Sequence, residues 1–132
     1  MAKTVLVVDD VAFVRKTLTD ILSEGHYQVV GEASDGAEAI AMYQKLRPDV
    51  VTMDVVMPKA SGIDAARTIC RMDKNARVII ISAMSQESLV MEAIAAGCKD
   101  YVLKPFTAQD ILRAVERSFA DDEGHASRAS RG

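Results

Sequence analysis

Five short apolar runs, each followed by a segment of helical spacing, constrain this chain more than any other feature. Residues 4–8, 28–33, 49–54 and 77–82 are rich in Val and Ile and nearly continuous in apolar character, and a shorter run at 100–103 follows the same pattern. Such runs mark strands buried on both faces, because a strand with one wet face alternates apolar and polar residues. The intervening segments carry apolar residues at the intervals of an amphipathic helix: Val14, Leu18, Ile21 and Leu22; Ala37, Ile40 and Leu46; Ile63, Ala66, Ile69 and Cys70; Leu89, Ala93 and Ile94; Ile111, Leu112 and Val115.

The residues between these segments agree with that division. Asp35, Ser61, Ser85 and Thr107 stand where a helix N-cap is wanted, and Gly25 and Gly97 where helices should stop. Five βα units with short connections imply a parallel sheet covered by helices on both faces, since right-handed crossovers leave few other packings. The expected fold is α/β, a doubly wound five-stranded sheet in the flavodoxin-like order 2-1-3-4-5.

A chain of 132 residues, 49% apolar and 27% charged, suits one ordinary globular core. After Phe119 only small and charged residues follow, which predicts a disordered tail over 120–132 and confines the functional domain to residues 1–119. Nothing DNA-binding or catalytic is expected to be appended to it. The net charge of −3, without a run of Lys or Arg, argues against nucleic-acid binding. The apolar run at 5–8 is too short for a signal peptide or membrane span, so the protein is expected in the cytoplasm. Cys70 and Cys98 have no metal-knuckle spacing and read as small apolar residues, His26 and His125 as solvated, and Met42, Met53, Met72 and Met91 as core filling.

Open α/β sheets bind ligands outside the carboxyl ends of their strands, where the strand order reverses. Asp9 and Asp10 follow the first run, Asp54 ends the third, Ser82 ends the fourth, and Lys104-Pro105 follows the fifth. In the order 2-1-3-4-5 the first and third strands are neighbours, so three carboxylates converge beside a hydroxyl and an ammonium. Two like charges ~4 Å apart at an effective dielectric of ~20 repel by about 4 kcal/mol, so the cluster wants a cation. Carboxylates without His or Cys suit a hard octahedral ion such as Mg²⁺. A carboxylate beside such an ion can attack phosphorus to form an acyl phosphate. Asp54, flanked by the acidic pair on one side and by Ser82 and Lys104 on the other, is the expected nucleophile.

Val8-Asp9-Asp10, Met53-Asp54-Val55-Val56-Met57-Pro58, Ser82-Ala83 and Leu103-Lys104-Pro105-Phe106, in that order, resemble the signature of two-component response-regulator receiver domains over residues 4–119. The resemblance implies that Asp54 is the phosphoacceptor for a histidine kinase. It implies that Asp10, Asp54 and the backbone carbonyl of Val56 ligate Mg²⁺ directly, and that Asp9 acts mainly through metal-bound water. Ser82 and Lys104 would contact the phosphoryl group, and Lys104-Pro105 would be a cis peptide. Ser82, Tyr101 and Pro105 would form a switch that alters the face made by the fourth helix, fifth strand and fifth helix. The only chemistry implied is Mg²⁺-dependent self-phosphorylation and autodephosphorylation, not an enzyme activity on other substrates.

Val11-Ala12-Phe13-Val14-Arg15, with Ser82-Ala83-Met84, is most similar to the CheY-like chemotaxis receivers outside the enteric group. That similarity implies a monomer acting on the flagellar motor switch or another protein target. The alternatives are a phosphorelay intermediate that passes the group to a histidine phosphotransfer protein, and an unphosphorylated binding module. A flavodoxin-type cofactor binder fits poorly, because Asp9 and Asp10 would repel FMN phosphate. A haloacid-dehalogenase-like phosphatase needs a second Asp two residues past the nucleophile, where this chain has Val56. Simpler readings also exist for single residues: Asp9 and Asp10 as helix-capping acids, Lys104 as a solvated lysine, Ser82 as a mere cap, Tyr101 as a half-buried strand aromatic.

Overall fold

The computed structural model describes residues 2–131, with side chains described for residues 2–120. The elements alternate as β1 (Thr4–Val8), α1 (Ala12–Glu24), β2 (Gln28–Ala33), α2 (Gly36–Leu46), β3 (Val50–Met53), α3 (Gly62–Met72), β4 (Val78–Ser82), α4 (Glu87–Ala96), β5 (Asp100–Leu103) and α5 (Ala108–Arg131). All strand pairs are parallel, in the order β2-β1-β3-β4-β5, which is the expected topology. Among the described residues no helix is long and apolar enough to cross a membrane.

The continuous apolar runs follow from a sheet with two dry faces. Leu6, Val8, Val51, Met53, Val78 and Ile80 pack toward α2, α3 and α4, while Val5, Val7, Val50, Ile79 and Ile81 pack toward α1 and α5. Successive strand residues point to opposite faces, so both parities must be apolar. β3 is shorter than its run at both ends. The Asp49 carboxylate accepts the Thr4 N–H at 2.7 Å and its hydroxyl at 3.1 Å, tying the entry of β3 to that of β1. Asp54 lies just beyond the strand.

Three of the expected caps form. Asp35 accepts from the Glu38 N–H at 2.8 Å and Ser61 from Ile63 at 3.1 Å, while Thr107 and Asp110 cap each other's backbone reciprocally. Ser85 does not cap α4, whose N-cap is Gln86 without a side-chain bond. The turn leaving β4 is held instead by Ser82, whose hydroxyl accepts from the Met84 N–H at 3.0 Å, and the helix starts one residue later. Gly97 ends α4 at φ 104, but after α1 the left-handed residue is His26, at φ 71, and not Gly25.

Cys98 is buried and Cys70 half-buried, both as free thiols. Met91 and Ile94, expected in the core, are about three-fifths exposed at 59% and 60%. α4 is apolar on more than one side, and its small Ala93 and Ala96 are the residues buried, which turns the larger side chains outward. The tail expected over 120–132 lies outside the described side chains from residue 121 on, and the backbone of α5 is helical through Arg131.

Among the described residues, one buried side-chain polar atom is without a hydrogen-bond partner. Thr52, paired across the sheet with Val7 and Ile79, is 1% exposed, and its hydroxyl has no hydrogen-bond partner. An unmade buried hydrogen bond costs about 1–3 kcal/mol. Thr52→Val is therefore expected to stabilise the protein by about 1 kcal/mol, read as a higher urea midpoint at unchanged slope. A lower midpoint would show that the hydroxyl is satisfied in solution.

Candidate functional site

The sheet ladder continues one peptide past the strand ends and fixes the residues found there. Asp9 N–H donates to the Ala33 carbonyl at 3.1 Å, Asp54 N–H to Val8 at 3.0 Å and Lys104 N–H to Ser82 at 2.8 Å. Main-chain bonds thus bring Asp9, Asp54, Ser82 and Lys104 to one edge. Asp9, Asp10 and Asp54 each offer a carboxylate oxygen within 4.8 Å of the others. Their burial is unequal: Asp9 is 1% and Asp54 7% exposed, whereas Asp10 faces solvent.

One ammonium faces these three carboxylates. Lys104 Nζ lies 2.9 Å from Asp9 Oδ2 and 3.5 Å from Asp54 Oδ2. Burial works to lower the Lys104 pKa, but the hydrogen bond to Asp9 and the charges of Asp54 and Asp9 outweigh it and hold the value above the usual one. The Asp54 pKa is raised by burial and then by the charge of Asp9, with only partial relief from Lys104 and the Val55 N–H. The ionised form of Asp54 is thus disfavoured by burial and by Asp9, with less positive charge beside it than would offset them. A donor set of carboxylate oxygens around such a deficit fits a hard divalent cation.

The capping alternative for Asp9 fails. Its Oδ1 accepts from the Val11 N–H at 2.9 Å, while Val11 is itself the N-cap of α1 and carries no side-chain bond there. Ser82 is fully buried, at 0% exposure. Both backbone groups of Met84 are held, its N–H by the Ser82 hydroxyl at 3.0 Å and its carbonyl by the Tyr101 hydroxyl at 2.6 Å. The half-buried Tyr101 also packs against the core. Lys104-Pro105 is cis, and the Val56 side chain projects from the rim, 61% exposed.

Two residues support this site through backbone contacts that the sequence does not announce: Gly62, legible only as a helix start, and Arg15, legible only as part of the run 11–15. A Cβ built on Gly62 would overlap the backbone carbonyl of Asp54, and the Gly62 N–H donates to Val55 at 2.8 Å. Glycine at the start of α3 thus lets that helix press against the loop that carries Asp54. Arg15 donates from Nη1 to the Asp9 carbonyl at 2.6 Å and from Nε to Glu32 at 2.9 Å, tying the acidic loop to β2. Its position one turn into α1 was the only signal, and contact with a backbone atom leaves no sequence pattern.

Residues 5–116 match the response regulator receiver domain. The chain belongs to the response regulator receiver family. This receiver is 48% identical over 117 residues to chemotaxis protein CheY of Thermotoga maritima, covering 89% of this chain and 98% of that one. It is 50% identical over 113 residues to protein CcdB of Bacillus subtilis, covering 86% and 94%. Among solved structures it resembles a chain of the CheX-CheY-BeF3-Mg+2 complex from Borrelia burgdorferi at 39% identity and a TM-score of 0.86, covering 89% of each.

The electrostatics of the receiver site have a consequence for stability. A carboxyl whose folded pKa lies above its unfolded value destabilises the fold once ionised, and the penalty disappears below the unfolded pKa, where both states are protonated. Without divalent cations, Asp54→Asn is expected to melt at a higher temperature than wild type at neutral pH. The difference should close as the pH falls through the ordinary carboxylate range. Thermal melts from pH 3 to 8 in EDTA check this, and a variant less stable than wild type at pH 7 contradicts it.

Proposed function

We propose that this receiver accepts a phosphoryl group on Asp54 from a histidine kinase and relays the signal to a protein target, in chemotaxis. The observation that carries the reading is the buried Asp54 carboxylate, its pKa raised by burial and by Asp9, with Lys104 shared between the two acids. Asp9, Asp10, Asp54 and the Val56 carbonyl would hold Mg²⁺, which supplies charge neutralisation for the phosphoryl oxygens. Asp54 attacks phosphorus in line with the bond to the leaving imidazole. Lys104, already charged and aimed at Asp54, moves onto a phosphoryl oxygen without a proton transfer. Ser82 turns its hydroxyl from the Met84 N–H to the same group.

That turn frees the Met84 N–H, while the Tyr101 hydroxyl holds the Met84 carbonyl. The same modification therefore disturbs Tyr101 and the face of α4, β5 and α5, biasing two conformers that already coexist. A protein target is supported by the Borrelia CheY, solved with CheX, BeF3 and Mg²⁺. Chemotaxis is supported by identity to CheY across nearly all of that protein's length. On this reading the protein works in the cytoplasm as a monomer.

The direct test is incubation with acetyl phosphate and Mg²⁺ followed by intact mass. Wild type is expected to gain one phosphoryl group, and Asp54→Asn and Asp10→Ala none; phosphorylation that survives either variant contradicts the assignment. Amide exchange should then differ most over residues 82–106 after phosphorylation, and that difference should shrink in Tyr101→Phe. Changes confined to α2 would argue against the switch.

The lifetime of the phosphoryl group follows from two apolar side chains. Hydrolysis needs a water oriented in line, and the positions two past Asp54 and two past Ser82 carry Val56 and Met84, neither of which can orient one. Decay at saturating Mg²⁺ is expected to be slow for a chemotaxis-type receiver, and faster by about tenfold in Val56→Asn with Met84→Glu. Equal or slower decay in the variant would show that site access sets the lifetime.

A further inference from the structure

Three separate segments bring four cations to one concavity at the end of the sheet remote from Asp54. Arg67 and Arg71 come from α3, Lys74 from the turn after it, and Lys99 from the entry to β5. The concavity measures about 370 Å³, and none of its lining residues is acidic. The remaining lining residues, Cys70, Ala76, Ala95, Ala96 and Gly97, are all small, so little side chain fills it.

Arg67 is engaged by Asp64 at 2.8 Å and Glu92 at 3.6 Å. Arg71, Lys74 and Lys99 have no carboxylate within 4 Å among the described residues. Asp73, adjacent in sequence, is turned away by the Tyr43 hydroxyl at 2.7 Å and Arg47 at 3.4 Å. Complementing helix dipoles accounts for Arg71, in the last turn of α3. It does not account for the others: the carbonyls of Ala93 and Ile94 at the end of α4 already accept the Gly97 N–H, and Lys99 lies beyond the helix. A chain of net charge −3 thus holds three uncompensated cations around a cleft of small-molecule size.

We propose that this groove between α3 and α4 binds a small polyanion carrying at least two phosphate groups, at a site separate from Asp54. The Arg71 guanidinium offers a planar fork of donors that matches a phosphate, and Lys74 and Lys99 supply point charges for a second one. A concavity of about 370 Å³ lined by small residues between the cations matches a compact ligand better than an acidic protein surface. The site is independent of the phosphoryl chemistry at Asp54.

The test is an amide chemical-shift titration of the full chain in EDTA, which keeps metal-dependent phosphate binding out of the acidic site. Pyrophosphate and ATP are the probes, with sodium chloride at matched ionic strength as control. Saturable shifts at residues 70–76 and 95–99 are expected with both probes. Binding should weaken by at least about tenfold in the triple variant Arg71→Ser, Lys74→Ser, Lys99→Ser, whose amide spectrum away from the substituted positions should remain that of the folded wild type. Shifts that follow ionic strength alone, or that map to residues 9–10, 54–56 and 104, overturn the proposal. A hexaglutamate peptide that binds as tightly as pyrophosphate overturns the small-molecule assignment.

Discussion

The shared Lys104 ammonium is the interaction on which the acidic edge depends. It stands 2.9 Å from one buried carboxylate and 3.5 Å from another, and without it Asp9 and Asp54 would face each other unscreened. Burial and then the charge of Asp9 raise the Asp54 pKa, and the shared ammonium offsets them only in part. The strain does not scatter the residues, because each is fixed by its main chain: the N–H groups of Asp9, Asp54 and Lys104 extend the ladders between neighbouring strands. Arg15 adds a further clamp on the carbonyl of Asp9. The sheet supplies the rigidity that keeps mutually repelling groups together, so the site is preorganised before any ligand arrives.

Rigidity on one side of the site is matched by an adjustable element on the other. Ser82 and Tyr101 hold the two backbone groups of Met84, with bonds of 3.0 and 2.6 Å. These bonds fall on successive peptide planes that meet at the Met84 Cα, so a change at one reaches the other through the φ and ψ of that residue. The short Ala-rich contact of α4 with the sheet, through Ala93 and Ala96, leaves that helix weakly anchored beside the moving segment. Movement there meets less resistance than it would in α3, which buries Ile63, Ala66 and Ile69.

The strand order and the acidic edge were legible in the sequence because both follow from short-range pattern. Continuous Val and Ile runs imply a sheet dry on both faces, and polar residues at run ends must then gather on one rim. The failures have a common cause in tertiary packing. Ser85 has the right chemistry for a cap, but Ser82 claims the turn first. Met91 and Ile94 satisfy helical spacing, yet only one side of α4 finds the sheet. Gly62 and Arg15 act on backbone carbonyls of Asp54 and Asp9, and a carbonyl is present at every position, so no residue pattern announces the contact. The basic groove is assembled from α3, the turn after it and the entry to β5, none of which carries a run of cations.

The distribution of charge over the two ends of the molecule also follows from the architecture. In a parallel βα fold every helix begins at the carboxyl edge of the sheet and ends at the amino edge, so the positive ends of the helix dipoles gather near Asp9, Asp10 and Asp54 and the negative ends near Arg71. Acids at the first edge and bases at the second are both favoured by that field, before any function is considered. The same field weakens at each end once local bonds are made. At the acidic edge it leaves Asp54 with a raised pKa all the same, because burial removes more solvation than the dipoles and Lys104 return. At the basic edge the last carbonyls of α4 are satisfied by the Gly97 N–H, so Lys99 finds little left to neutralise it. Both edges therefore retain uncompensated charge, negative at one and positive at the other, and a protein that keeps such charge around a cleft has somewhere for an ion of opposite sign to bind.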